Sequence, residues 1–273
     1  MGLVTRNLLA ALRIFPPVVR ASLQQLFAYR AAMLLWAVWG IAGPLVTLAV
    51  WSTAAGPKPI AGFTREQFAT YFILGMVMNH FTAAWDMDVF GWLVQYGRLS
   101  GLLMRPVLPV WQAVSDNVAF KLLTGVVVAP AWVVLGLAVR ADWTIVSAGS
   151  VALAIPALVM AMVLNFLSGY CVAMVAFWTT KNGAINRVYW SIAMFLGGRI
   201  APLAVLPPVL QAAARYLPFQ TMFAFPIEVA MGRQTGNQII ANYLLQLIWI
   251  AVGLVVWRLV WRAGLKRYSA VGA

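Results

Sequence analysis

Acidic residues, histidine, cysteine and lysine are all scarce in this 273-residue chain. Charged side chains make up 9% of it, against roughly 25% in a soluble domain. His80 and Cys171 are the sole residues of their kinds, and together they cannot form a metal centre, which takes several such ligands. A single cysteine also excludes a disulfide within the chain; inside an apolar run, Cys171 reads as a small packing residue. The lysines fall in GPKP (Lys58), FKLL (Lys121), TTKN (Lys181) and LKRY (Lys266). None completes the G-x-x-x-x-G-K-[ST] loop that cradles nucleotide phosphates, so the chain is not expected to hydrolyse ATP unaided. No G-x-S-x-G nucleophile turn occurs. A Ser-His-Asp arrangement would have to be assembled around His80 from remote groups.

Apolar residues, 63% of the chain, are what is abundant. They run continuously for ~20 residues at a time, enough for a helix to cross ~30 Å of hydrocarbon. The alternation of a membrane barrel strand is absent. The pattern predicts an all-α polytopic membrane protein forming a single transmembrane domain over residues 1–273. Six transmembrane helices are expected at 31–53, 66–85, 110–139, 148–178, 188–208 and 239–261. Residues 1–30 read as a cytoplasmic, interfacial segment. After Pro17, Val19, Leu23, Leu26 and Phe27 share one helical face, with Arg20, Gln24 and Arg30 off it. Arginines spread from Arg6 to Arg30, interrupted by Pro16 and Pro17, do not fit a cleavable signal peptide. Residues 209–235 are too apolar for a plain loop and too broken by Pro218, Pro226 and Glu228 for a span. They read as an external re-entrant segment of short helices backed by protein, because irregular backbone cannot face lipid.

The basic residues orient the chain. Of 19 Lys and Arg, thirteen fall on the side of the N-terminus, leaving Lys58, Arg65, Arg140, Arg199, Arg215 and Arg233 on the other. The positive-inside bias then places both termini in the cytoplasm. It also accounts for the net charge of +13, which in a soluble protein would suggest nucleic-acid binding; no nucleic acid is expected here. Trp51 and Trp143 fall at outer span ends, and Trp85, Trp111, Trp178, Trp257 and Trp261 at inner ends.

Polar residues inside spans are candidate functional groups. Asn79 and His80 either bond helix to helix or line a substrate path. Lys121 reads as a snorkelling residue at the inner headgroups, and Asn165 as an interhelical hydrogen bond. Arg199 lies ~18 Å beyond Arg187 at the rise of a helix, which places it in the outer half of the membrane. It either pairs with Glu228 or faces an aqueous cavity. Met76, Asn79, His80, Trp190, Met194, Phe195 and Arg199 are the candidate pathway residues. Residues 86–109 interrupt the apolar spans on the cytoplasmic side. Phe90, Trp92, Leu93 and Tyr96 alternate with Gly91 and Gln95 in a short helix, broken at Gly97–Ser100. This stretch is either an interfacial helix without a partner or a lever that enters a groove on an ATPase. In the second case Tyr96, Gly97, Arg98, Leu99, Ser100, Leu103 and Arg105 are the coupling residues.

GRLSGLLMRPV (97–107) and GGRIAPLAVLPPVLQAAARYLPFQTMFAFP (197–226) resemble segments of ABC-2 type transporter permeases, within a bacterial subgroup of antibiotic-type exporter permeases. The order of interfacial helix, six spans, coupling helix and re-entrant helices is similar throughout the chain. The resemblance implies a multi-pass protein of the bacterial cytoplasmic (inner) membrane that carries no cofactor. Two permease subunits, often non-identical, would pair with two copies of an ABC ATPase that binds ATP and Mg. Spans two and five would face the central pathway. The expected function is ATP-driven export of a hydrophobic or amphipathic substrate. The alternative is a motor-independent integral membrane enzyme or scaffold.

Overall fold

The computed structural model describes residues 15–24, 30–105, 107–179 and 182–268. Among them the chain is helical without strands. Helix α1 covers residues 15–24. It is followed by α2 (Arg30–Ala55), α3 (Arg65–Thr82), α4 (Asp86–Gln95), α5 (Leu99–Leu103), α6 (Pro109–Ala138) and α7 (Ala148–Ala173). Then come α8 (Gly183–Leu196), α9 (Pro208–Tyr216), α10 (Pro218–Met222), α11 (Ala224–Ala230) and α12 (Gly236–Leu265). Arg6, Arg13, Leu26, Phe27, Pro106 and Lys181 lie outside the described residues.

Local chemistry sets the helix starts. Thr64, Ser147 and Thr235 cap α3, α7 and α12 in reciprocal capping boxes with Gln67, Ser150 and Gln238, satisfying amides that have no partner in the first turn. Pro109 opens α6, where its missing N–H costs nothing. Among the described residues, three helical stretches are long and apolar enough to cross a membrane: Pro109–Ala138, Ala148–Phe177 and Gly236–Leu265. Each has 30 residues. Their outer surfaces are rows of exposed aliphatic side chains, such as Val126, Val133 and Leu137 on α6 and Leu244, Ile248, Val255 and Leu259 on α12. Faces like these are stable against hydrocarbon, not water. The protein is an integral membrane protein.

The other apolar runs are less regular. α2 is continuously apolar from Gly40 to Ala55. α3 ends at Thr82, and three non-helical residues lead into α4. α8 differs most from the expected span at 188–208. It starts at Gly183 and stops after 14 residues at Leu196, about 21 Å of helix. Gly197 and Gly198 end it, Gly198 with a φ of +83°. Only a 3-10 turn at Leu203–Val205 intervenes between Pro202 and Pro207, and Pro208, whose missing N–H costs nothing in a first turn, then opens α9.

α7 is the central element and packs against α3, α4, α10, α11 and α12. Residues 221–227 of the interrupted segment are buried there. Asn165 of α7 donates to the Met222 carbonyl of α10 at 3.0 Å, an interhelical bond. Gln246 of α12 is wholly buried. Its Nε2 donates to the Ala157 carbonyl of α7 at 3.1 Å and the Thr221 carbonyl of α10 at 2.8 Å. Replacing Gln246 by Leu removes both bonds and is expected to cost about 1–2 kcal/mol. The check is the aggregation temperature of the purified protein in detergent; an unchanged temperature would contradict the role.

Candidate functional site

Helix α4 is wedged by its inner face. Phe90 is buried, with ring centroids 5.1 Å from Tyr170, 5.4 Å from Phe177 and 6.3 Å from Trp261. Met87 and Leu99 join the same cluster. Two carboxylates at the start of α4, where the helix dipole favours negative charge, tie it to other helices. Asn117 Nδ2 of α6 donates to Asp86 Oδ2 at 2.9 Å. Asn186 Nδ2 of α8 donates to Asp88 Oδ1 at 3.1 Å. Gly91 is needed for the approach of Asn182, whose amide would lie 2.6 Å from any Cβ there.

The outer face of the same helix is open. Val89, Trp92 and Tyr96 are exposed, and the two rings lie 5.6 Å apart. Gly97 turns the corner into α5 with a φ of +67°, a conformation that a Cβ disfavours. Arg98 and Arg105 are exposed, and Met104 is 85% exposed. Arg105 Nη1 donates to Gln112 Oε1 at 2.7 Å. Ser100 is held from below, its amide donating to Tyr268 Oη at 3.2 Å and its hydroxyl 3.0 Å from the same oxygen. Of the expected coupling residues, Tyr96, Arg98 and Arg105 therefore face outward. Leu99 is wholly buried, while Gly97, Ser100 and Leu103 are half-buried supports. Val89, Trp92 and Met104 belong to the open face although they were not among the expected coupling residues. The spacing 89, 92, 96 was the available signal, since residues three and four apart share a helix face.

The expected pathway residues divide into three groups. Met76 is buried with Ile73, Val128 and Trp132 between α3 and α6. His80 also turns towards α6: its Nε2 is 3.1 Å from the Lys121 carbonyl, and the rings of Phe81, Phe120 and Trp132 surround it. Met194 and Phe195 are exposed on α8 with Val188 and Ile192. Asn79, Trp190 and Arg199 come together. Arg199 Nη1 donates to Asn79 Oδ1 at 2.6 Å, and Nη2 lies 3.5 Å from Thr82 Oγ1. The guanidinium sits over the ring of Phe223 at 4.4 Å and that of Trp190 at 5.7 Å.

Arg199 does not pair with Glu228, which accepts a hydrogen bond from Gln234 Nε2. α8 ends early, and the side chain reaches back to the last turn of α3. Lys121 is buried rather than snorkelling, and its charge acts on Asp86. Cys171 is half-buried between α7 and α12, with Sγ 3.6 Å from the Gly253 carbonyl, a packing position.

A family model described as ABC-2 family transporter protein matches residues 35–272. The chain belongs to that family. A search of curated proteins finds no match. The protein is thus an ABC-2 type permease, the membrane component of a transporter and not itself catalytic, and its family implies a partnering ABC ATPase.

In this permease Asp86 lies just beyond the end of α3, and burial pushes its carboxyl up to about 7 from the usual 3.8. The bond from Asn117 opposes that shift without cancelling it. Asn117 Oδ1 is buried without a hydrogen-bond partner among the described residues. The folded state therefore binds a proton that the unfolded chain has already released, so stability falls as pH rises between these two values and levels off above them. The apparent Tm is expected to fall between about pH 5 and about pH 8, with a slope shallower by about 3 °C per pH unit in D86N. Thermal unfolding in detergent across that range checks this; equal slopes would contradict it.

Proposed function

We propose that a separate ATPase drives this permease by docking on the open face of α4 and α5, formed by Val89, Trp92, Tyr96, Arg98 and Met104. One observation carries the reading: exposed aromatic side chains stand on a helix whose opposite face is wedged into the core through Phe90. Large aromatic side chains on a rigid support are the usual anchors of a protein interface. Arg98 and Arg105 supply charge for an acidic groove on the ATPase.

In this reading the chain crosses a bacterial inner membrane six times, with both termini in the cytoplasm. α8 and the short helices α9–α11 supply the fifth crossing and an external re-entrant segment. Two ATPase subunits, which bind ATP and Mg, close together on two permeases of non-identical sequence. Their motion reaches α4. From there it passes through residues 83–85 into α3, through Asp86–Asn117 into α6, and through Asp88–Asn186 into α8. A hydrophobic or amphipathic substrate leaves outward between the permeases. The cycle runs only if ATP and substrate each favour different states of the pair.

The double variant Y96A/R98E leaves the buried wedge in place. ATP-dependent transport by the co-expressed complex is expected to fall by about tenfold or more, the effect of losing ~1.4 kcal/mol at the interface, with the permease at normal levels in the membrane. Undiminished transport would remove the docking face from the account.

A further inference from the structure

Helix α12 is held from one side. Gln246 bonds to α7 and α10 there, Gly253 lies under Leu167 of α7, and Trp261 and Gly264 are buried. Gly264 leaves room for the ring of Phe177, which any Cβ would overlap. The opposite side is open. Leu244, Ile248, Val255 and Leu259 are exposed on it, and so are Arg258, Arg262 and Lys266. Val255, Arg258, Leu259, Arg262 and Lys266 follow one another at steps that keep side chains on one helix face. An apolar stripe therefore continues into a basic one.

The basic end of the stripe stands on a fixed support. The Trp261 ring lies 6.3 Å from that of Phe90 and 6.0 Å from that of Phe177. Just past Lys266, Tyr268 Oη accepts from the Ser100 amide at 3.2 Å, which ties the end of α12 to α5. No acidic residue of these helices answers the three cations. α12 itself carries none, and the carboxylates of α4 are bonded to Asn117 and Asn186. The dimensions also fit a lipid. Ile248 to Arg258 covers about 15 Å of helix, half of the ~30 Å thickness of a hydrocarbon layer. The apolar part thus has the depth of one leaflet, and the basic part begins at the level of its headgroups.

We propose that this stripe binds an anionic phospholipid of the leaflet at the α4–α5 end. The phosphate lies among Arg258, Arg262 and Lys266, and an acyl chain runs along Leu259, Val255 and Ile248. The two guanidinium groups offer a phosphate paired donors, and the lysine adds a point charge. The site goes beyond the docking reading and does not depend on it.

The test uses the full-length permease alone, in phosphatidylcholine nanodiscs. The discs carry a trace of phosphatidylglycerol, or of phosphatidylcholine with the same chains, bearing a photoactivatable diazirine in one chain. Adducts are mapped by peptide mass spectrometry. On α12, wild type is expected to favour the anionic probe by about tenfold or more, because each Lys or Arg near an anionic lipid contributes about fivefold. R258Q/R262Q/K266Q should take both probes alike, and R258K/R262K, which keeps the charge, should retain most of the preference. Labelling at Val126, on the open side of α6, should show no preference. Equal labelling of α12 by the two probes in wild type would overturn the proposal, as would a preference that survives in the triple variant or appears equally at Val126. The same labelling on the transporter complex isolated from its membranes supplies a further arm. Loss of the α12 adducts there would assign the face to a protein partner and overturn the lipid site. With no ATPase in the first experiment, its failure leaves the docking reading standing.

Discussion

The wedge of Phe90 into Tyr170, Phe177 and Trp261 is the contact on which the α4–α5 end of the molecule depends. A surface helix as short as α4 is not stable in water alone. Burying Met87, Phe90 and Leu99 against α7 and α12 supplies what its length cannot. Burial on one face leaves the other free, so the same packing that makes the helix rigid presents Trp92 and Tyr96 outward. A lever needs both properties. Asp86 and Asp88 add direction, each bonding an asparagine on a different helix, so that a push on α4 is shared between α6 and α8.

α3 joins α4 to the side chains that meet Arg199. Its last turns carry Asn79 and Thr82, the partners of Arg199, and α4 begins a few residues later. The Ala83 amide donates back to the Asn79 carbonyl at 2.9 Å, which closes the end of α3 around the residue that meets Arg199. In the proposed cycle, a displacement of α4 reaches Arg199 through this short, hydrogen-bonded connection. Coupling needs contiguous elements, and α3 runs without a break into the turn that meets both α4 and Arg199.

Much of this was legible in the sequence. Long apolar runs gave the membrane class, and Gly97 gave the corner between α4 and α5. Prolines 218 and 226 marked the interrupted segment, and Asn165 read correctly as an interhelical bond. What sequence did not yield was set by tertiary packing. Leu99 looks the same in sequence whether it faces a partner or the core. Asn117 and Asn186 are remote in sequence from the carboxylates they bind. Helix rise could not show which helix the Arg199 side chain meets. Gly197 and Gly198 ended α8 early, and the side chain turned back along α3. Gln246 sits in an apolar run with nothing local to show that two carbonyls await it.

The central claim is that a motor protein touches the open face of α4 and α5. Photo-crosslinking in intact membranes tests it most directly, with a crosslinking amino acid placed singly at Trp92 and Met104, and at Val126 on the open side of α6 as a control. The account predicts adducts from the first two positions with one protein that carries the phosphate-binding loop this chain lacks, and none from Val126. No such adduct from Trp92 or Met104, in membranes where the ATPase is present and transport is active, would contradict it.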